Sequence, residues 1–173
     1  ELFLSAIGFG KFMIATNSLT KSFGLGGIRL GWALGHPELV EELFEFQDLI
    51  SVVNAEPSMD IALRAFEKLN ELRTKFRGKV QENFEVVENW LSATRDVECI
   101  KPDKTPFCFP KFTSGIDSRK LAELLEVKFQ TYIVPGSFFD RHDEHFRLGF
   151  GGNKEELKQG LKNVSDALKL LTS

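Results

Sequence analysis

Cysteine is scarce in this chain of 173 residues, which holds only Cys99 and Cys108. Two thiols are too few for a disulfide framework, and the simplest reading is a pair of buried thiols. No hydrophobic stretch is long enough to span a bilayer. No cluster of lysine and arginine stands against the net charge of −3, so neither nucleic acid nor an anionic membrane is an expected partner. Internal repeats and low-complexity segments are lacking too. Residues 2–15 are fairly apolar, but Glu1, Lys11 and the want of a small-residue cleavage site argue against a secretory signal, and a cytoplasmic protein is expected. A chain of this length buries one core and at most part of another.

One stretch carries a definite chemistry: Asn17-Ser18-Leu19-Thr20-Lys21-Ser22-Phe23-Gly24-Leu25-Gly26-Gly27-Ile28-Arg29-Leu30-Gly31-Trp32. A lysine amine condenses with carbonyls when it is held unprotonated, and a neighbouring cation such as Arg29 favours that form, so Lys21 is a Schiff-base candidate. Ser18 and Thr20 add hydroxyls, Arg29 adds a planar fork suited to phosphate, and the glycines allow close backbone approach. An aldehyde that carries a phosphate fits this set, which points to pyridoxal phosphate. The spaced pattern is far more specific than a lone Gly-x-Gly-Gly.

The stretch resembles the lysine motif of class I/II, fold-type I pyridoxal-phosphate aminotransferases. The resemblance implies that Lys21 binds the cofactor, that Ser18 and Arg29 hold its phosphate with Thr20 beside them, and that the glycines shape the turn. It implies an α/β fold, with the chain matching only the carboxyl-terminal half: the end of the large cofactor-binding domain over 1–68 and a small α+β domain over 69–173. The upstream half would supply a phosphate nest, the aromatic that stacks on the pyridine ring and the aspartate for the ring nitrogen. The 173 residues alone are therefore expected to be nearly inactive.

Along the chain, Phe12-Met13-Ile14-Ala15-Thr16 reads as a buried strand that delivers Lys21, and 28–34 as the next strand. Pro37 opens a helix, His36 being a helix-start residue, and Pro57-Ser58 opens another. The stripe Ala62, Phe66, Leu69, Phe76, Val80, Phe84, Val87, Leu91 fits two helices or one long bent one. Residues 97–100 and 107–112 read as strands joined by a turn over 101–106, with Pro110 suggesting an edge. Asp117 or Ser118 caps a helix, 129–134 and 146–150 are strand candidates, and Asn153 with Glu156 starts the last helix. This order describes helices packed on one antiparallel or mixed sheet.

The stretch His145-Phe146-Arg147-Leu148-Gly149-Phe150-Gly151, which follows Val134-Pro135-Gly136-Ser137-Phe138-Phe139, also resembles the family. There the strand arginine grips the substrate α-carboxylate, which implies that role for Arg147. An arginine buried among Phe146, Leu148 and Phe150 needs a carboxylate, and an internal Arg–Glu pair is the alternative. His142 and His145 could share a metal, but a solvated loop reads better and no metal is expected. Phe138 and Phe139 read as core. Thr105-Pro106 and Asp140 stand where the family often has glycine.

The expected function is amino-group transfer between an amino acid and a 2-oxo acid, with a homodimer implied by the family. The alternatives are a lyase of the same fold, such as one catalysing β-elimination, and a catalytically dead remnant that acts as an association module through exposed apolar residues.

Overall fold

Hydroxyl and small residues flank the motif lysine, and they form a short hairpin. β1 (Ala15–Ser18) pairs antiparallel with β2 (Gly31–Leu34), which sets Asn17 opposite Trp32 and Ser18 opposite Gly31. The computed structural model describes residues 5–103, 105–140 and 142–172, so Glu1 and Leu2 of the apolar amino end and Lys104 of the expected turn lie outside the described residues. The strand expected at 12–16 begins three residues later, at Ala15. Phe12 is 77% exposed and β1 is only partly covered, because the sheet has two strands and β1 meets one neighbour. Residues 28–30 precede β2, and Gly26–Ile28 make a single 3-10 turn.

Three helices follow. α1 (Pro37–Ser51) has proline in its first turn and His36 in extended conformation before it. None of its side chains is buried; Leu49 and Ile50 are each 82% exposed. α2 (Glu56–Phe66) starts over Pro57, and α3 (Leu69–Ala93) continues the apolar stripe, so the stripe is two helices. Leu19, Leu30, Ala62 and Ala65 are buried together, with Trp32, Leu69 and Leu72 packed around them, and the Trp32 and Phe66 rings meet at 5.2 Å.

The chain divides into two compact units, Glu1–Phe76 and Arg77–Ser173, within α3. The second unit holds the larger core. β3 (Val97–Glu98) pairs with β5 (Lys111–Phe112), and β4 (Phe107–Cys108), β7 (Phe146–Gly149) and β6 (Val134–Pro135) make an antiparallel three-stranded sheet in the order β4-β7-β6. α4 (Ser118–Phe129) and α5 (Lys154–Thr172) supply Leu121, Leu125, Leu157, Leu161, Val164 and Leu168 to one cluster with Phe112, Phe146, Leu148 and Phe150. Each fully buried leucine or phenylalanine here contributes about 1.5–3 kcal/mol.

The capping expectations are met in detail. Asp117 accepts a hydrogen bond from the Arg119 amide at 2.9 Å, and Asn153 accepts from the amides of Glu155 and Glu156 at 2.8 and 3.3 Å. Three expectations fail. The run at 107–112 is two strands in different sheets; Pro110 is buried at the break between them, and β4 and β5 each lie at a sheet edge, as the proline suggests. α4 continues through Phe129, which leaves only Val134–Pro135 as strand. Phe138 is 78% exposed and Phe139 is exposed too, so neither is core.

Candidate active site

Leu19 and Leu30 turn inward: both are buried, and the Leu19 amide donates to the Leu30 carbonyl at 3.2 Å, carrying the hairpin ladder one step past β1 and β2. Ser18 ends β1, and Thr20 and Arg29 lie in the connection between the strands, beside the buried Leu19 and Leu30. The Ser18 hydroxyl accepts from the Thr20 amide at 3.3 Å. Arg29 Nη1 donates to the Gly26 carbonyl at 3.1 Å, and a Cβ placed on Gly26 would lie 3.4 Å from the Thr20 methyl, so Gly26 sits between these two side chains. Lys21 follows in the turn, exposed and without an ion pair among the described residues.

Two backbone features shape this turn. Arg29 has φ 57°, ψ 39°, a left-handed conformation in which a side chain is costly and glycine is the easier occupant. Strain of this kind persists where the surroundings hold it, and here the Arg29 amide and Nη1 both donate to the Gly26 carbonyl. Gly24 has φ 72°, and a Cβ there would meet the Phe76 ring at 2.5 Å.

The donor set fits an anionic aldehyde cofactor. Two hydroxyls, an ammonium and a guanidinium share one hairpin, and no described carboxylate pairs with either cation. A further signal was present in the sequence and not used: from residue 2 to residue 37 there is no aspartate or glutamate, while Lys11, Lys21 and Arg29 lie in that span. An acid-free segment with spaced cations is suited to phosphate.

Arg147 corrects an expectation. Alternation along β7 buries Phe146 and Leu148 and leaves Arg147 exposed on the opposite face, so the arginine is not desolvated. It lies opposite Val134, and its guanidinium stands over the Phe107 ring at 5.7 Å, a stacking partner that sequence inspection did not find. No ion pair holds it among the described residues, and the internal Arg–Glu pair is not formed. Arg147 belongs to the second unit, and the four hairpin residues to the first.

His142 and His145 lie in the loop before β7. Their rings meet at 5.1 Å, but no group of histidine, cysteine and carboxylates able to hold a metal occurs among the described residues. His145 Nδ1 is buried without a hydrogen-bond partner, and burial lowers the pKa of this histidine. Asp140 has φ 62°, which gives a backbone reason for glycine at that position in the family.

The family model for aminotransferase class I and II matches residues 7–164, and the chain belongs to that family. It is similar to capreomycidine synthase of Streptomyces vinaceus, 29% identical over 90% of this chain and 40% of that protein. LL-diaminopimelate aminotransferase of Moorella thermoacetica is 26% identical over 96% of this chain and 43% of its own length. Among solved structures, a PLP-dependent aminotransferase from Streptococcus suis superimposes with a TM-score of 0.85 at 27% identity, covering 91% of this chain and 42% of that one. A PLP-dependent cyclase matches with a TM-score of 0.81 at 28% identity, over 91% of this chain and 43% of that one. The chain thus spans about two fifths of the length of these relatives, and its fold is a carboxyl-terminal piece of the fold-type I transferase fold. No helix of the described residues is long and apolar enough to cross a membrane.

Proposed function

We propose that this chain is the carboxyl-terminal part of a pyridoxal-phosphate aminotransferase, which moves an amino group between an amino acid and a 2-oxo acid. Residues 1–68 belong to its cofactor domain and 69–173 to its small domain. The observation that carries this reading is the acid-free hairpin, whose end and connection hold Ser18, Thr20, Lys21 and Arg29 within twelve residues. When bound, the cofactor supplies an aldehyde for amine condensation and an electron sink for bonds at the substrate Cα. Lys21 is the condensing amine, and it then takes the proton from Cα and returns it. Ser18, Thr20 and Arg29 bind the phosphate through hydroxyls and a guanidinium fork. Arg147, free of ion pairs among the described residues, binds the substrate α-carboxylate. A cytoplasmic homodimer is the expected setting, and the 173 residues alone are expected to turn over at close to background rate.

The test is to mix the chain with pyridoxal phosphate, reduce with borohydride and map the peptides. The pyridoxyl group is expected on Lys21, with labelling lost in Lys21→Ala and weakened in Arg29→Ala. Label spread evenly over the surface lysines ends this reading.

A second reading is a lyase or related reaction on the same cofactor, kept because two of the similar proteins are named a synthase and a cyclase. A single-turnover experiment separates the two. Amino-group transfer leaves the cofactor in its amine form, and elimination does not.

A further inference from the structure

Phe107 and Arg147 share the outer face of the three-stranded sheet. The register pairs Cys108 with Leu148 and Phe107 with Gly149. Cys108 and Leu148 are buried in the core, so alternation puts Phe107, Gly149 and, two residues back along β7, Arg147 together on the opposite face. Cys99, expected to be buried like Cys108, is partly exposed. Phe107 is thus the diagonal neighbour of Arg147, within reach of an aromatic ring. Gly149, directly opposite, offers the ring no side chain, and a Cβ built on it would meet nothing within 4 Å. The ring lies instead against Arg147, whose guanidinium stands over it at 5.7 Å from the centroid.

The backbone that carries the ring is fixed on both sides. The Phe150 amide donates to the Pro106 carbonyl at 2.8 Å, which extends the ladder one step beyond Phe107 and Gly149, and the Thr105 hydroxyl donates to the Phe107 carbonyl at 2.7 Å. On the other side Cys108 is set into the core. The guanidinium, by contrast, has no ion pair or hydrogen bond among the described residues, and the ring is what it rests on.

We propose that Phe107 is the positioning residue for Arg147: its ring holds the flat face of the guanidinium and leaves the N–H edge free for the substrate α-carboxylate. The inference rests on the substrate role assigned to Arg147 above. A glutamate or aspartate in place of the ring would occupy the in-plane donors that a bidentate carboxylate needs, whereas a ring takes only the flat face. An arginine side chain loses much rotamer freedom when it grips a ligand, and a stacked guanidinium has lost part of it beforehand. The contribution of Phe107 therefore falls on substrate affinity and leaves the chemical step unchanged.

The test compares Phe107→Leu and Phe107→Tyr with the wild type. Phe107 is 38% exposed, so both side chains have room. In the chain itself, the ring current should displace the NMR resonance of the Arg147 Hε proton in the wild type and in Phe107→Tyr, and Phe107→Leu should return it to the position of a free arginine. In a cofactor-loaded protein that carries this segment, screened against the common L-amino acids, Phe107→Leu should raise the KM of the best substrate about two- to fivefold, the size expected of an exposed cation–π contact. Its kcat and cofactor content should not change, and Phe107→Tyr should restore the KM. An Arg147 resonance that does not move in Phe107→Leu overturns the proposal, as does a loss confined to kcat or one that tyrosine does not rescue. An unchanged KM in Phe107→Leu overturns it too: if Arg147→Lys still weakens binding, the positioning role alone is lost, and if Arg147→Lys has no effect, the substrate role of Arg147 falls with it.

Discussion

The side-chain amide of Asn83 donates to the Phe150 carbonyl at 2.7 Å and to the Gly152 carbonyl at 3.1 Å, tying the middle of α3 to the turn between β7 and α5. Asn83 and Phe150 are each 1% exposed, so the bond between them is shielded from water, whereas Gly152 is exposed.

Asn83→Ala should therefore cost about 1–3 kcal/mol, from the buried Phe150 carbonyl left unpaired and a small cavity. Asn83→Asp should cost more at neutral pH, because a carboxylate would face two carbonyl oxygens, and should recover in part in acid. Urea unfolding across pH checks both, and a loss below about 0.5 kcal/mol for the alanine variant would show the bonds to be dispensable.

Gly24→Ala should destabilise the first unit. Alanine at φ 72° costs about 1 kcal/mol, and the contact with Phe76 adds about 1–3 kcal/mol of overpacking. Adding Phe76→Leu should relieve the contact and leave the backbone cost, so the two changes should not add. Trp32 fluorescence, read in a Trp90→Phe background, follows this unit alone. Strict additivity would refute the contact.

Asp117 is held below the ordinary carboxylate range, first by the Arg119 side chain and then by its backbone amide. A depressed folded pKa stabilises the fold above the unfolded value and loses that contribution as pH falls through the folded one. Asp117→Asn keeps a capping oxygen and does not titrate. The stability gap between wild type and variant should therefore shrink on going from about pH 5 to about pH 2, where the unfolded carboxyl titrates near 4. A gap that does not change with pH is the outcome that counts against this.

The two arginines should separate in a protein that carries this segment and binds cofactor and amino acid. Arg29→Lys should loosen the cofactor, read by its absorbance after gel filtration. Arg147→Lys should weaken amino-acid binding about tenfold or more with cofactor retained, because lysine lacks the bidentate fork. The reverse pattern would mean that the roles are exchanged.

That Lys21, Ser18, Thr20 and Arg29 come close together was legible because their spacing is local: the motif from Asn17 to Trp32 is only sixteen residues long. Helix starts at Pro37, Pro57, Asp117 and Asn153 were legible for the same reason, since a cap or a fixed proline φ acts within one turn. What depends on a distant partner was not. Apolar character at 12–14 suggested a strand, yet a strand needs a neighbour, and β1 pairs only where β2 offers backbone. Phe107 to Phe112 reads as one β run, but its two ends pair with different strands and it breaks at Pro110. Period-two alternation could have shown that Arg147 faces away from Phe146 and Leu148; Phe107 beneath it could not have been seen, because it comes from a strand forty residues earlier. The sequence by itself determined which side chains could do chemistry and where the chain turns, since those follow from residues in contact along it. Only the tertiary structure decided which of them share a face, because strand register and burial are set by partners the local sequence does not contain.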